Sequence, residues 1–312
     1  MSARVGIIVR TRQRPAFLRR ALADIAAQTA PGWRVVVVDD GGDAAEVDAI
    51  VAAAGLDDRA SVVHIAPGEG GRCIAANTGV RALDTEYVVL HDDDDRWHPE
   101  FLARTIDWLD AHPAHAAVSA ATEIVYEENR SGVWVEVGRA PFWAGMTRIS
   151  LSEMLSVNRA VPISVVYRRA VHDEVGWYDE TLDAVEDWDL YLRILRSHEI
   201  GFLVGEPLAF WTQRPDSVGV DANSMFGLAV EHARDDAVVR DRALAEWVHR
   251  EGPGLPLYLS RLQAEVIAHV DEAVGRLRHE LREDLRQDLR REIDAHQPLL
   301  SRLRRFRRRL SR

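Results

Sequence analysis

Tyr87-Val88-Val89-Leu90-His91-Asp92-Asp93-Asp94-Asp95-Arg96-Trp97-His98-Pro99-Glu100-Phe101-Leu102 is the stretch on which the reading of this chain turns. Tyr87 to Leu90 has the apolar character of a buried strand, and it runs straight into four consecutive carboxylates. Like charges crowded at a strand end repel one another unless a cation sits among them. Oxygen-only ligands there suit Mn2+ or Mg2+, hard ions that keep waters and bridge to phosphates. The alternative is a solvated acidic loop ahead of a helix N-terminus, where Asp is favoured anyway. The flanking sequence decides between the two.

Upstream, strands and helices alternate. Val5 to Val9 reads as a strand, and Pro15 opens a helix whose Phe17, Leu18, Ala21, Leu22 and Ile25 fall at helical spacing. Pro31-Gly32 ends it. Trp33 to Val38 is the second strand, Ala44 to Ala54 a helix, Ser61 to Ile65 a third strand, and Cys73 to Leu83 a helix that leads back to Tyr87. Continuously apolar strands joined by helices form a mostly parallel sheet covered on both faces, the Rossmann-like α/β class. Ligands of such sheets sit at the carboxyl ends of the strands. Arg10/Arg12, Asp39/Asp40 and Asp92 to Asp95 all fall there, so three polar clusters are expected to converge on one crevice.

Taken together, these residues amount to a resemblance. Val9-Arg10-Thr11-Arg12-Gln13-Arg14-Pro15, Gln28-Thr29, Val37-Val38-Asp39-Asp40-Gly41 and Gly71-Arg72 with Asn77-Thr78-Gly79 stand in the order seen in family 2 glycosyltransferases of the GT-A fold. The acidic run, Val175-Gly176-Trp177-Tyr178-Asp179 and Glu186-Asp187-Trp188-Asp189-Leu190 continue the series, so the chain resembles that family over roughly residues 4–218. One departure is Arg10-Thr11-Arg12-Gln13, where the family usually has Pro-Thr-Tyr-Asn; it falls on the base-contacting residues.

The resemblance implies an inverting, metal-dependent glycosyltransferase with a nucleotide-diphosphate donor, UDP-linked, and an acceptor hydroxyl on a cell-surface glycan or lipid-linked precursor. Its Asp-x-Asp motif maps to Asp92-Asp93-Asp94, with Asp94 and Asp92 as metal ligands and Asp92 and Asp93 facing ribose or metal-bound water. Arg10, Thr11, Arg12, Asp39, Asp40 and Arg72 are the expected nucleotide-binding residues, since guanidinium matches phosphate and Asp accepts from base or ribose. Asn77 has the alternative of a helix-buried amide satisfied by backbone. Asp187 is the expected general base, with Glu186 as the alternative; both open a helix whose dipole keeps carboxylates ionised. Arg214 stands where the family often has His; Arg cannot ligate a metal, so a diphosphate contact is expected instead. Two competing readings are a nucleotidyltransferase acting on sugar phosphates and a non-catalytic nucleotide-sugar-binding scaffold. The first normally carries glycines after its first strand, which Arg10 to Arg14 lacks.

Composition agrees. The 312 residues are 47% hydrophobic and 29% charged, with net charge −11, which disfavours a nucleic-acid partner. Cys73 is the only cysteine, which excludes a disulfide framework. The N-terminal residues lack a signal-peptide pattern and no stretch approaches a membrane span, so the expected location is cytoplasmic, peripheral to the inner membrane face at most. The domain reading is a catalytic domain over 1–220 (nucleotide-sugar half 1–100, acceptor half 101–220), a helical extension over 221–250, and a C-terminal arm over 251–312. In that arm the breaker-rich stretch from Glu251 to Pro256 precedes a long amphipathic helix, Leu259 to Ile293, whose apolar stripe needs a partner such as a second subunit. The Arg-rich end, Leu299 to Leu310, suits an anionic membrane surface or a solvated tail.

Overall fold

A computed structural model describes residues 3–296. The first half follows the alternation of the sequence: β1 (Val5–Thr11), α1 (Pro15–Ala26), β2 (Trp33–Asp40), α2 (Ala44–Ala53), β3 (Ala60–Ile65), α3 (Arg72–Arg81) and β4 (Tyr87–Asp92). A two-residue strand β5 (Arg96–Trp97) leads to α4 (Phe101–Ala111), β6 (His115–Ala120), and the hairpin β7 (Thr122–Arg130) and β8 (Val133–Pro141). Then come α5 (Leu151–Ser156), β9 (Val165–Arg168), α6 (Val171–Val175), α7 (Glu186–Leu195), β10 (Glu199–Leu203), β11 (Ala209–Gln213), α8 (Ser224–Gly227), α9 (Ala229–Glu251) and α10 (Gly254–His296).

Seven strands form the central sheet in the order β10-β6-β9-β4-β1-β2-β3. The β1, β2, β3 and β4 pairings and the β10–β6 pairing are parallel, and β9 runs antiparallel between β4 and β6. A smaller sheet, β5-β11-β7-β8, stands beside it. Alternating residues of β1 feed two cores: Val5, Ile7 and Val9 pack with Leu18, Leu22 and Ile25 of α1, while Ile8 packs with Ala76 and Val80 of α3. Each fully buried aliphatic side chain contributes roughly 1.5–3 kcal/mol, so the sheet is clamped from both faces.

The parallel β1–β4 register sets Arg10 opposite Asp92, and the β1–β2 register sets Thr11 opposite Asp39. Three strand ends thus share one edge. The largely apolar stretch from Val161 to Tyr167 reads in sequence as one strand, but Pro162–Ser164 is a 3-10 turn and the ladder starts at Val165. Pro162 has no N–H to give a ladder.

Two compact units divide the chain at Arg240/Asp241. The first holds both sheets. The second holds the end of α9 and all of α10, which resumes at Gly254 with Pro256 in its first turn, where a missing N–H costs nothing. Among the described residues no helix is long and apolar enough to cross a membrane. The Arg-rich stretch expected to meet a membrane surface lies outside the described residues.

Candidate active site

The strand ends open into a cavity of about 500 Å3, room for a nucleotide sugar. At one end stand Arg12, Asp40 and Gly71. Asp40 Oδ1 accepts from the Gly71 N–H at 3.1 Å, and its Oδ2 lies 3.8 Å from the exposed Arg12 guanidinium. A Cβ on Gly70 would collide with Asp40 Oδ1, so the loop before α3 closes on that carboxylate only as glycine. Asp39 points the other way: buried, it accepts from Gly42 N–H at 2.8 Å and faces His64 Nδ1 at 3.0 Å, and this bond raises the His64 pKa. Asp39 therefore shapes the turn after β2, and Asp40 is the member of the pair that lines the cavity.

The acidic run divides its work in a similar way. Asp92 and Asp94 face the cavity, as does Asp95 in part. Asp93 is fully buried below, accepting from Thr11 Oγ1 at 2.8 Å and Arg14 Nε at 3.2 Å; burial, against the pull of Arg14, pushes its carboxyl up to about 7. Asp95 accepts from the Thr212 N–H at 2.8 Å and joins the two sheets; burial, with Asp94 next to it, holds its carboxyl well above the usual range. Asp94 Oδ2 is met by Arg14 at 3.2 Å, by Asn223 Nδ2 at 3.2 Å and by Arg214; burial opposes its ionisation, but the guanidinia overcome this and lower its pKa. Arg214 does not reach the cavity. It is fully buried, stacked 4.4 Å over Phe17, with Nε donating to Asp221 O at 3.0 Å, so the expected diphosphate contact is not made by its position here.

Arg10 connects this edge to the second half of the chain. Its Nε and NH2 donate to Asp92 Oδ1 at 3.0 and 2.6 Å, and its NH1 donates to Glu186 Oε1 at 2.7 Å. Arg72 Nε reaches the same Glu186 oxygen at 3.3 Å. Residues far apart in sequence are thereby drawn to one place. Val185, the residue capping α7, sits at φ 56°, a left-handed conformation unfavourable to a β-branched side chain, and from it α7 aims Glu186 and Asp187 at the arginines. Neither acid lines the cavity itself; they stand behind Arg10 and Arg72, which do.

The two neighbouring carboxyls are driven apart. Glu186 is buried, which opposes ionisation, but Arg72 and Arg10 overcome this and hold it at about 2. Asp187 is pushed up to about 7 by burial and by the Glu186 charge, with a counteracting hydrogen bond from Asn158 Nδ2 at 2.9 Å. A committed anion beside a carboxyl that titrates near neutrality is the pattern of an acid–base pair.

Asn158 went unnoticed in the sequence, where it looks like an ordinary residue after a short helix; Asn223 and Gln213 likewise. Asn77, by contrast, is the buried structural amide: it donates to Tyr178 O at 2.9 Å and accepts from Tyr178 N at 3.0 Å, fastening α3 to the turn after α6. Trp97 and Trp188 are core residues whose indole N–H groups meet the Ile163 and Met154 carbonyls.

Metal ligation can be judged from the donor chemistry. Among the described residues no three His, Cys, Asp or Glu converge in a ready-made cation cage. Asp92 and Asp94 nonetheless offer hard oxygen donors at the cavity wall, and the acids Asp92 to Asp95, Glu186 and Asp187 outnumber the guanidinia of Arg10, Arg14, Arg72 and Arg214. A hard divalent ion fits this set, completed by substrate oxygens and water.

Comparison with known proteins agrees with this geometry. The family model described as Glycosyl transferase family 2 matches residues 6–176. YwdF, an uncharacterised glycosyltransferase of Bacillus subtilis, is 28% identical over 201 residues, 63% of this chain and 70% of that protein. S. aureus TarS 1-349 in complex with UDP-GlcNAc superposes with a TM-score of 0.56 at 17% identity, covering 81% of this chain and 75% of that one; against TarS 1-349 solved by itself the overlap is 60% of that chain. The mannosyltransferase PcManGT from Pyrobaculum calidifontis, in complex with GDP-Man and Mn2+, gives a TM-score of 0.54 at 20% identity over 86% of this chain and 76% of that one. At such identities the structural likeness speaks to the fold, which is GT-A. With the family model spanning more than half its length and the strand-end site in place, this chain belongs to glycosyl transferase family 2 and is a glycosyltransferase.

Proposed function

We propose that the chain transfers a sugar from a UDP-linked donor to a hydroxyl of a cell-surface glycan or lipid-linked precursor, with inversion at the anomeric carbon. One observation supports the reading: Arg10 binds Asp92 and Glu186 at once, so the acidic edge and the start of α7 are held together at one guanidinium of the cavity wall. TarS and PcManGT, bound to UDP-GlcNAc and GDP-Man, support a nucleotide-sugar donor. The choice of uracil rests on Asp40. Its Oδ1 is taken by Gly71 N–H, which leaves Oδ2 for a single base N–H, while Arg12 can donate to a flanking carbonyl. Uracil presents one N–H between two carbonyls; guanine presents two adjacent donors and calls for both carboxylate oxygens.

Arg10 and Arg72 line the cavity and are placed to bind diphosphate oxygens. Asp94 and Asp92 would hold Mn2+ or Mg2+, a choice supported by their hard donors and by the Mn2+ of PcManGT. Such an ion supplies Lewis-acid neutralisation of the departing diphosphate. Asp187, which Arg10 and Arg72 separate from the cavity until they turn to the diphosphate, takes the proton of the acceptor hydroxyl as the oxygen attacks the anomeric carbon. Glu186, bound to two arginines and held at about 2, stays ionised and serves to orient them. A single displacement needs no enzyme nucleophile.

Asp187→Asn tests this. Turnover should fall by about 10²–10⁴-fold, the typical worth of a general base, while donor affinity measured by calorimetry stays within a few-fold. A variant that keeps its turnover would remove Asp187 from the reaction. A thermal-shift panel of nucleoside diphosphates with and without Mn2+ tests the donor, because ligands of the native state raise its melting temperature. A shift with GDP and none with UDP would overturn the uracil assignment.

A further inference from the structure

α9 lies past residue 218, where the resemblance to the family ends, and its first half is fastened to both sides of the Asp187 carboxyl. On one side is the turn that leads into α7. Asp235, 1% exposed, accepts from the Asp183 N–H at 2.7 Å and the Ala184 N–H at 2.9 Å. Those two residues immediately precede Val185, whose left-handed backbone aims α7. Arg234 reinforces the joint, donating to Asp235 Oδ1 and Asp183 Oδ2 at 2.7 Å each. On the other side is α5, whose end leads into Asn158. Arg240 NH1 donates to Leu155 O at 2.7 Å and NH2 to Ser156 O at 3.1 Å. These are carbonyls that the last turn of a helix leaves without partners of its own. Asp236, one turn back, orients the guanidinium, accepting from its Nε at 2.8 Å and its NH2 at 3.1 Å. The same guanidinium lies 4.8 Å over the Trp188 ring, and the Trp188 indole N–H donates to Met154 O at 2.6 Å. Val239 is buried in the core that holds Met154 and Trp188.

Trp188 follows Asp187, and Ser156 stands two positions before Asn158. The 2.9 Å hydrogen bond from Asn158 to Asp187 thus joins two segments that one helix grips separately. Such a bond weakens steeply once its partners slide or tilt. Asp235, Asp236 and Arg240 do not line the cavity, so contact with a substrate does not account for their arrangement. As a stabiliser the exposed Arg240–Asp236 pair is worth little; what it fixes is the direction of the guanidinium. We infer that α9 is a splint for the Asp187–Asn158 contact, with Arg240 the positioning residue that sets Asn158 against Asp187. Its consequence for turnover rests on Asp187 as the base of the proposed function; the contact itself does not.

The test follows the Asp187 carboxyl directly, by 13C NMR titration of the full-length chain carrying labelled aspartate, with the resonance assigned by its loss in Asp187→Asn. The other groups bearing on that carboxyl are Glu186 and Tyr191 on α7 and Arg72 on α3, with Arg10 of β1 and His232 of α9 acting next to Glu186, and the variants leave all of them in place. Arg240→Met keeps apolar cover on Trp188 but donates nothing, and the titration midpoint should rise by about 0.5–1 in pH, the worth of one hydrogen bond. Asp236→Ala, which frees the guanidinium without deleting it, should raise the midpoint by less, and Arg240→Lys should recover part of the rise. Asn158→Ala combined with Arg240→Met should titrate like Asn158→Ala alone, because the first change already removes what the second acts through. A midpoint that stays at the wild-type value in both Arg240→Met and Asp236→Ala overturns the splint. So does a double variant whose midpoint exceeds that of Asn158→Ala. The fate of the base is read separately: Asp187→Asn with full turnover would sink the proposed function, and the NMR comparison would still decide the splint.

Discussion

Asp187 titrates near neutrality because burial and the Glu186 charge raise it, while the hydrogen bond from the Asn158 side chain draws it back. Asn158 is oriented: its Oδ1 accepts from Ala160 N–H at 3.1 Å, so the NH2 must face Asp187. The other groups bearing on Asp187 are Glu186 and Tyr191 on its own helix and the Arg72 guanidinium from α3, with Arg10 from β1 and His232 from α9 acting next to Glu186. A donor to the carboxylate favours its charged form, so Asn158→Ala should raise the Asp187 pKa further. The acid limb of the rate–pH profile then moves to higher pH, with turnover reduced at pH 6 and recovering by pH 9. A profile that drops uniformly without moving would reduce Asn158 to a packing role. At this scale identities are legible in the chain and pairings are not: the Asp39/Asp40 doublet looks symmetrical, and only the fold turns one acid towards His64 and the other into the cavity.

At the scale of elements, the strand ends were readable because continuous apolar runs followed by polar clusters leave few alternatives to a covered parallel sheet. Close packing between elements was less readable. Gly79 of α3 lies against β1, where an added Cβ would stand 2.3 Å from Ile8 Cγ2. Gly79→Ala should therefore cost about 1–3 kcal/mol, the usual range for overpacking a filled core, measurable by urea unfolding with the slope unchanged; a neutral result would mean that α3 can lift off the sheet without penalty. The shortened β9 shows the limit of apolar runs as a guide. Val161 to Tyr167 is apolar enough for a long strand, yet one proline converts its first half into a turn.

At the scale of the whole molecule, every side chain assigned to the cavity falls within the unit spanning residues 1–240. A chain ending after Glu251 should accordingly keep donor affinity and turnover within about twofold; a collapse of either would assign α10 a part in the site. On α10 itself, Leu262, Val266, Val270, Leu277, Leu281, Leu285 and Leu289 are exposed by 45–65%. An amphipathic helix with a bare stripe calls for an apolar partner, and a second copy of this chain is the simplest one. Sedimentation should then find the full chain as a larger assembly than the truncated one, and equal stoichiometry would discard that pairing.

The sequence by itself determined the α/β alternation, the strand ends that carry Arg10, Asp40 and Asp92, and the family to which those motifs belong, because periodicity and local order are properties of the chain. The tertiary structure alone decided which acids stay in contact with the cavity, which are spent on arginines, and that Asn158 meets Asp187. Those outcomes depend on burial and on neighbours more than a hundred positions away, as with Arg10 and Glu186. No local pattern encodes which charges will lose their water together.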